Sequence, residues 1–211
     1  MTIAVVDYGT GNLRSVVRAT QAAAGRLGID PDRVIRATQP EQLDAASRII
    51  FPGQGAMPDC MSGLTRSGLT GALRESLRSK PFLGICVGEQ MLLESSEEGD
   101  TPGLGLIPGR VVRFPDRPGL KVPHMGWNQV RWSRPHPTMQ GLEAPAQRWF
   151  YFVHSYYPLP AQASDTLAEA DYGLAFTCAL ARDNIVATQF HPEKSAAAGL
   201  TLIENFLAWM P

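Results

Sequence analysis

The first half of the chain alternates short apolar runs with segments of helical periodicity, and this alternation is the strongest constraint on its fold. Apolar runs occupy residues 3–7, 33–37, 48–52 and 81–86, and helical patterns separate them. Short buried runs are typical of parallel strands, and each parallel connection needs a crossover such as a helix. The alternation therefore predicts parallel βαβ units with helices on both faces of a sheet.

The second half has a different pattern. Residues 105–190 contain strand-like segments and turns, with few helical stretches between them. Residues 196–210 carry apolar side chains at a period near 3.6, which predicts a closing helix. These features predict a mixed sheet. Because no repeat or linker interrupts the pattern, we expect one α/β domain over residues 1–211.

Composition excludes several function classes. The formal charge is −1 and no Lys/Arg-rich run occurs, which disfavours binding to nucleic acid or anionic membranes. No apolar stretch approaches the roughly 20 residues of a membrane span, and the first residues lack a signal-peptide pattern, so we expect a cytoplasmic protein. The three cysteines, Cys60, Cys86 and Cys178, are odd in number and scattered, so we expect reduced thiols.

The glycine-rich segment "DYGTGNLRS" follows the first apolar run and precedes a helical pattern. It resembles a dinucleotide-binding turn, but Arg14 occupies the place of the third glycine. The second apolar run, which ends near Thr38, also lacks an acidic residue for a ribose. We therefore expect a tight strand-to-helix turn here, without a nucleotide.

The segment "GICVG" places Cys86 between Gly84 and Gly88, where an apolar run turns into a helical pattern. This G-x-C-x-G spacing is the cysteine counterpart of the nucleophile elbow, in which glycines permit a strained turn. Free N–H groups at a helix start favour a thiolate. Local spacing alone leaves open that Cys86 is a small buried hydrophobe, which is the expectation for Cys60 and Cys178.

Two other segments supply groups for acyl transfer. His191 and Glu193 follow an apolar run at a spacing of two, so the carboxylate can orient the imidazole. The glycines of the "PGQGA" loop, residues 52–56, leave amides free to bind an oxyanion. Each segment alone also fits a structural role. Because all of them follow strands, we expect a Cys–His–Glu centre at the carboxyl edge of one sheet.

These motifs, in this order along nearly the whole chain, resemble the class I (triad-type) glutamine amidotransferases. The resemblance implies a flavodoxin-like three-layer α/β fold with a mixed, mostly parallel central sheet. Within that family, four segments are similar to the glutaminase subunits of imidazole glycerol phosphate synthases of histidine biosynthesis. They are "YGTGNLRSV" (8–16), "PHMGWN" (123–128), "HSYY" (154–157) and "HPEKS" (191–195).

The resemblance assigns roles to matching positions. It implies Cys86 as nucleophile, His191 as proton carrier and Glu193 as the residue that orients His191. For the oxyanion, the resemblance implies Gly53 and Val87. For substrate glutamine, it implies Gly53, Gly88, Gln90, Ser155 and Tyr156. It implies no metal and no cofactor, and the four histidines show no zinc-like spacing.

The resemblance also implies a reaction and a partner. Glutamine would be hydrolysed through a cysteine thioester to glutamate and ammonia. The ammonia would pass to a separate (β/α)₈-barrel cyclase subunit, in a heterodimer that makes imidazole glycerol phosphate and aminoimidazole carboxamide ribotide. Lys194 and the "HMGWN" segment are the candidates for docking.

Two positions depart from the family pattern. Gln54 replaces an apolar residue in the oxyanion loop, and Glu89 replaces a common methionine after the elbow. A carboxylate at residue 89 would oppose a nearby thiolate. Two alternatives stay open: a stand-alone cysteine amidohydrolase of γ-glutamyl compounds, and a catalytically silent regulatory subunit on the same fold.

Overall fold

The computed structural model describes residues 1–144 and 148–211. In these residues, six α-helices surround a nine-stranded central sheet, and four strands form a second, smaller sheet. The helices are α1 (Leu13–Arg26), α2 (Pro40–Ala45), α3 (Met57–Ser67), α4 (Thr70–Ser76), α5 (Val87–Gln90) and α6 (Ala196–Ala208). The central strands are β1 (Ile3–Val6), β2 (Val34–Ala37), β3 (Arg48–Gly53), β4 (Phe82–Cys86), β8 (His124–Trp132), β9 (Trp149–His154), β11 (Thr166–Asp171), β12 (Ala175–Arg182) and β13 (Ile185–Thr188). The smaller sheet contains β5 (Ser95–Ser96), β6 (Thr101–Pro102), β7 (Gly109–Arg113) and β10 (Tyr156–Pro160).

The central sheet has the order β2-β1-β3-β4-β13-β12-β11-β8-β9. Pairs from β2 through β13 are parallel, and pairs from β13 through β9 are antiparallel. The predicted mixed α/β sheet is therefore confirmed. Its antiparallel part contains as many strand pairs as its parallel part. The connections β11–β12 and β12–β13 are short turns, and such turns can join only antiparallel neighbours.

The helices lie on both faces of the sheet. Helix α1 packs against α6, and α4 packs against both α2 and α3. Because parallel connections are almost always right-handed, these two groups of helices belong to opposite faces. Helix α3 has no counterpart in our sequence prediction. Its signals are a proline in the first turn, buried Met57, Cys60 and Leu64 at helical spacing, and Gly68 at its end with φ 74°.

The parallel strands at the middle of the sheet form the core. Every residue of β1, β3, β4 and β13 is buried, which explains why these strands have apolar sequences without alternation. Strands β3 and β4 end side by side, with Gly53 opposite Cys86. The chain beyond β13 runs on to His191, so three predicted site segments meet at the carboxyl edge.

The smaller sheet supplies the other wall of this edge. Strand β9 ends at His154 and β10 begins at Tyr156, so the chain changes sheet at Ser155. The sequence predicted these strands but not their separation into a second sheet. In the described part of the chain, no helix combines the length and apolar character needed to cross a membrane.

Candidate active site

The backbone at Cys86 is strained. Its φ of 56° and ψ of −114° lie in a region that residues with a side chain rarely adopt. A Cβ on Gly84 would lie 3.0 Å from the Cβ of Ala187, and a Cβ on Gly88 would overlap the carbonyl oxygen of Phe51. The glycine bracket is therefore a packing requirement, and it lets helix α5 start directly above the sheet.

His191 and Glu193 form a buried pair. Nδ1 of His191 lies 2.8 Å from Oε1 of Glu193, and both side chains are less than 5% exposed. The other ring nitrogen, Nε2, is buried without a hydrogen-bond partner in the described residues. Burial lowers the pKa of His191, but the thiolate of Cys86 and the carboxylate of Glu193 outweigh it and raise the pKa to about 10. The charges around the ring therefore favour the imidazolium form of His191.

A cavity of about 340 Å³ opens at Cys86. The site residues predicted from the sequence that line it are Cys86, Val87, Gln90, Ser155, Tyr156 and His191. Gly53 and Gly88 do not line it: a Cβ on Gly53 would lie 2.5 Å from the backbone nitrogen of Gly88, so the two pack against each other. Glu193 also lies outside the lining and reaches the site through His191.

The loop predicted to bind the oxyanion, residues 52–56, is held at three points. The hydroxyl of Tyr8 donates to the carbonyl of Pro52 at 3.0 Å, and the thiol of Cys60 donates to the carbonyl of Gln54 at 3.4 Å. The Gln54 side chain accepts the backbone N–H of Asn12 at 2.7 Å. The glutamine at this position thus ties the loop to the first strand-to-helix turn, a contact that an apolar residue could not make.

Comparison with known proteins identifies the family. The family model "Glutamine amidotransferase class-I" matches residues 4–209. The chain belongs to the class I glutamine amidotransferases. Two curated relatives are named "Imidazole glycerol phosphate synthase subunit HisH". That of Aromatoleum aromaticum is 53% identical with 99% of both chains covered, and that of Chromobacterium violaceum is 56% identical, covering 99% of this chain and 98% of the relative.

Solved structures agree on the fold of this class I amidotransferase. A crystal structure of a glutamine amidotransferase has a TM-score of 0.68 at 20% identity and covers 99% of this chain and 98% of its own. A glutamine amidotransferase from Thermotoga maritima has a TM-score of 0.61 at 15% identity, with 94% and 78% covered. At these identities the likeness concerns the fold alone, and it confirms the predicted fold class.

Two residues at or behind the amidotransferase cavity were missed by the sequence prediction. Glu98 lines it and places a carboxylate there, one oxygen of which accepts the backbone N–H of Met57 at 2.8 Å. Gln189 contacts the nucleophile: its Nε2 lies 3.7 Å from Sγ of Cys86. Glu98 sits in a short turn without a sequence signal. Gln189 precedes His191 by two residues, a spacing that could have suggested a shared face.

Two neutral histidines support one wall of the site. Nδ1 of His124 lies 3.0 Å from Nε2 of His154, and Nδ1 of His154 lies 2.8 Å from the carbonyl oxygen of Tyr156. Burial lowers the pKa of His124 to about 4 and that of His154 to about 3. A neutral His154 donates through Nδ1 to Tyr156 and accepts at Nε2 from His124. The pair therefore fixes the backbone around Ser155.

Glu89 points away from solvent beside the elbow. Its side chain is 0% exposed, and neither carboxyl oxygen has a donor in hydrogen-bonding geometry among the described residues. Burial raises the pKa of Glu89 well above 4.5, and the charge of Cys86 raises it further, while the nearby amide of Leu180 offsets part of this rise. The raised pKa favours the neutral form of the carboxyl group, and a neutral carboxyl group repels the thiolate less than a carboxylate does.

A larger cavity, of about 720 Å³, lies at the far end of β8. The residues that line it include Trp132, His136, Gln140 and Arg148, and neither Cys86 nor His191 reaches it. We therefore place the chemistry of the amidotransferase in the smaller cavity at the elbow.

Proposed function

We propose that this chain is the glutaminase subunit of an imidazole glycerol phosphate synthase and that it hydrolyses glutamine to glutamate and ammonia. One observation carries the proposal: a strained cysteine and an imidazole hydrogen-bonded to a buried carboxylate line the same small cavity. The relatives of this name match the chain over its full length, which supports the same assignment.

The first half of the reaction forms a thioester. The Cys86 thiolate attacks the side-chain carbonyl carbon of glutamine, and the carbonyl electrons move to oxygen. The backbone N–H of Val87 and amides of the loop at Gly53 bind this oxyanion. When the carbon–nitrogen bond breaks, the imidazolium of His191 gives its proton to the leaving nitrogen, which departs as ammonia.

The second half hydrolyses the thioester. His191 is now neutral and takes a proton from a water molecule that attacks the thioester carbon. The carbon–sulfur bond breaks, the thiolate and imidazolium are restored, and glutamate leaves. The contact of Glu193 with Nδ1 holds the ring so that Nε2 faces the reacting atoms.

The cavity has complementary groups for the other end of glutamine. Gln90 lines the cavity, and because its Oε1 has no hydrogen-bond partner in the described residues, we propose it as an acceptor for the α-ammonium group. The carboxylate of Glu98 adds a second negative site for that group. The backbone at Ser155 and Tyr156 is placed to hold the α-carboxylate.

Ammonia released in water would be protonated and lost, so the chain needs a consumer beside it. We propose the cyclase subunit, a (β/α)₈ barrel, as the partner in a heterodimer. Met125 and Trp127 are 65% and 51% exposed on one face of β8, and Lys194 lies 6.0 Å from the ring centre of Tyr151. Together these four residues form the β8 patch, and such aromatic and Met-rich surfaces are typical of interfaces.

The β8 patch adjoins the cavity mouth. Met125 pairs with Val153 across the β8–β9 ladder, and Val153 lines the cavity together with Pro123. A cyclase bound there would close the cavity and receive ammonia directly. We also propose one domain over residues 1–211 and a cytoplasmic location, as expected for a biosynthetic subunit.

The deciding experiment measures ammonia release from glutamine. Wild type, Cys86→Ala and the matched control Cys178→Ala are each assayed with and without the cyclase subunit and its nucleotide ligand. We expect strong activation of wild type and Cys178→Ala by the liganded cyclase, and loss of at least about 10³-fold in Cys86→Ala.

Other outcomes favour the two alternatives. Full activity of the isolated chain, without further activation, would indicate a stand-alone amidohydrolase. A failure of a diazoketone analogue of glutamine to label Cys86 in the presence of the cyclase would indicate a catalytically silent subunit.

A further inference from the structure

Gln189 is a fully buried amide that contacts the catalytic sulfur. It follows β13 directly, it is 0% exposed, and its Nε2 lies 3.7 Å from Sγ of Cys86. Burial of an amide costs free energy unless its hydrogen bonds are made. The bond to the sulfur is therefore part of what keeps a polar side chain at this position.

A second amide determines how Gln189 is oriented. Nε2 of Gln90 donates to the carbonyl oxygen of Tyr156 at 3.1 Å and to Oε1 of Gln189 at 2.9 Å. Since Gln90 presents N–H groups on that side, the facing atom of Gln189 must be its oxygen. The opposite end of the Gln189 amide, which faces Cys86, must then be the NH₂ group. The network leaves Sγ as the acceptor of an N–H bond.

We propose that Gln189 is a catalytic residue of the glutaminase reaction, in which its side-chain N–H stabilises the thiolate of Cys86. The proposal rests on the function proposed above. A hydrogen bond to the charged form of a group favours that form, and it is stronger than a bond to the neutral form. Gln189 therefore increases the fraction of Cys86 that is ready to attack.

The same network links substrate recognition to the nucleophile. Gln90 lines the cavity proposed to hold glutamine, and its Oε1 is buried without a hydrogen-bond partner in the part of the chain that the structure describes. An ammonium group bound to Oε1 polarises the Gln90 amide and strengthens its N–H donors. Gln189 is then held more firmly against Cys86. A ligand without the α-ammonium group lacks this effect.

Alkylation of Cys86 by iodoacetamide tests the proposal without a glutaminase assay. Its rate is measured against pH for wild type and Gln189→Met, with Cys86→Ala as the blank that subtracts Cys60 and Cys178. Gln189→Leu is the second variant, in case the first does not fold, and thermal unfolding checks both. Thr188→Val is the matched control, because its buried hydroxyl bonds to Phe190 and not to Cys86.

Titratable groups next to the sulfur remain in every variant. These are His191 in the cavity, Glu89 behind the elbow, Tyr8 after β1 and Cys60 in α3, all of which interact electrostatically with Cys86. The contrast between wild type and Gln189→Met therefore isolates the amide. We expect the alkylation midpoint to move to higher pH, with a rate near neutral pH lower by about tenfold and an unchanged rate at high pH.

With the cyclase bound, kcat for glutamine should fall by a similar factor, while KM changes by less than about twofold, because Gln189 contacts the nucleophile and not the substrate. Gln90→Met should raise KM and also shift the alkylation midpoint. The proposal would be overturned if Gln189→Met kept both the alkylation profile and the kcat of wild type. If the alkylation midpoint shifted in Gln189→Met but not in Gln90→Met, the proposed link between substrate recognition and Cys86 would be wrong.

The two proposals fail differently. If wild type with liganded cyclase released no ammonia, the glutaminase function would be wrong, while the alkylation contrast would still report on Gln189. If wild type hydrolyses glutamine normally but the pH dependence of Cys86 alkylation is the same in Gln189→Met as in wild type, only the role of Gln189 is wrong.

Discussion

Gly88 packs so closely against the carbonyl group of Phe51 that no Cβ atom could fit between them. Gly88→Ala should therefore push α5 away from β3 and displace Cys86. We expect a loss of about 2 kcal/mol or more in the free energy of unfolding and a glutaminase rate at least about 100-fold lower. Urea unfolding and ammonia release measure these effects.

Gly71→Ala is the control for this substitution. Gly71 lies in α4 with no atom within 4 Å of a Cβ at that position. We expect about 0.5–1 kcal/mol of stabilisation and unchanged activity. Equal behaviour of the two variants would show that the elbow does not depend on contact between α5 and β3.

The parts of the site that the sequence predicts are those with a local cause. A buried apolar run that ends in G-x-C-x-G specifies a strand, a strained turn and a cysteine at the start of a helix within a few residues. The same holds for the pair His191 and Glu193. Side chains two positions apart in an extended segment point to the same side, so their contact does not depend on distant parts of the chain.

The remaining parts depend on distant contacts. Gln189 reaches Cys86 across 103 positions of sequence, and Gln90 reaches Tyr156 across 66. A single sequence carries no signal for such pairs, nor for the separation of β10 and β7 into their own sheet. The protonation of Glu89 was equally hidden, because its pKa depends on burial that only the folded chain defines.

The protonation of His191 depends on the thiolate beside it. Burial alone lowers the pKa of this residue, whereas the charges of Cys86 and Glu193 raise it to about 10. Cys86→Ala should therefore move the ring titration, followed by NMR, to lower pH. The control Cys60→Ala should leave it in place. A midpoint that stays near 10 in Cys86→Ala would show that Glu193 alone holds the proton.

The same pKa gives a prediction for stability. Because the pKa of His191 is raised from 6.5 to about 10 on folding, the protonated ring stabilises the fold below pH 6.5. This contribution falls as pH rises toward 10. Cys86→Ala should show less loss of stability over that interval than wild type does, measured by urea unfolding at a series of pH values.

The buried carboxyl of Glu89 should destabilise the fold increasingly as pH rises. Because folding raises the pKa of Glu89 above 4.5, the native state retains a proton that the unfolded chain releases above that pH. Glu89→Met should therefore gain stability relative to wild type, by about 1–3 kcal/mol near neutral pH and less at acidic pH. Glu75→Gln, at a 69% exposed side chain, is the control and should show no such trend. A constant difference at all pH values would mean that folding does not raise the pKa of Glu89.

The β8 patch predicts how the partner binds. Trp127 is 51% exposed, and its ring centre lies 6.2 Å from that of Tyr151, so a docking partner would bury a large rigid side chain. Trp127→Ala should weaken cyclase binding by about 30-fold or more in calorimetric titrations, with unchanged thermal unfolding of the isolated chain. Leu159→Ala is the matched control, because Leu159 is 46% exposed but lies on β10 in the other sheet. If Leu159→Ala weakened binding as much as Trp127→Ala, or if neither did, the cyclase would have to dock on a different face, and the ammonia would leave the cavity away from β8.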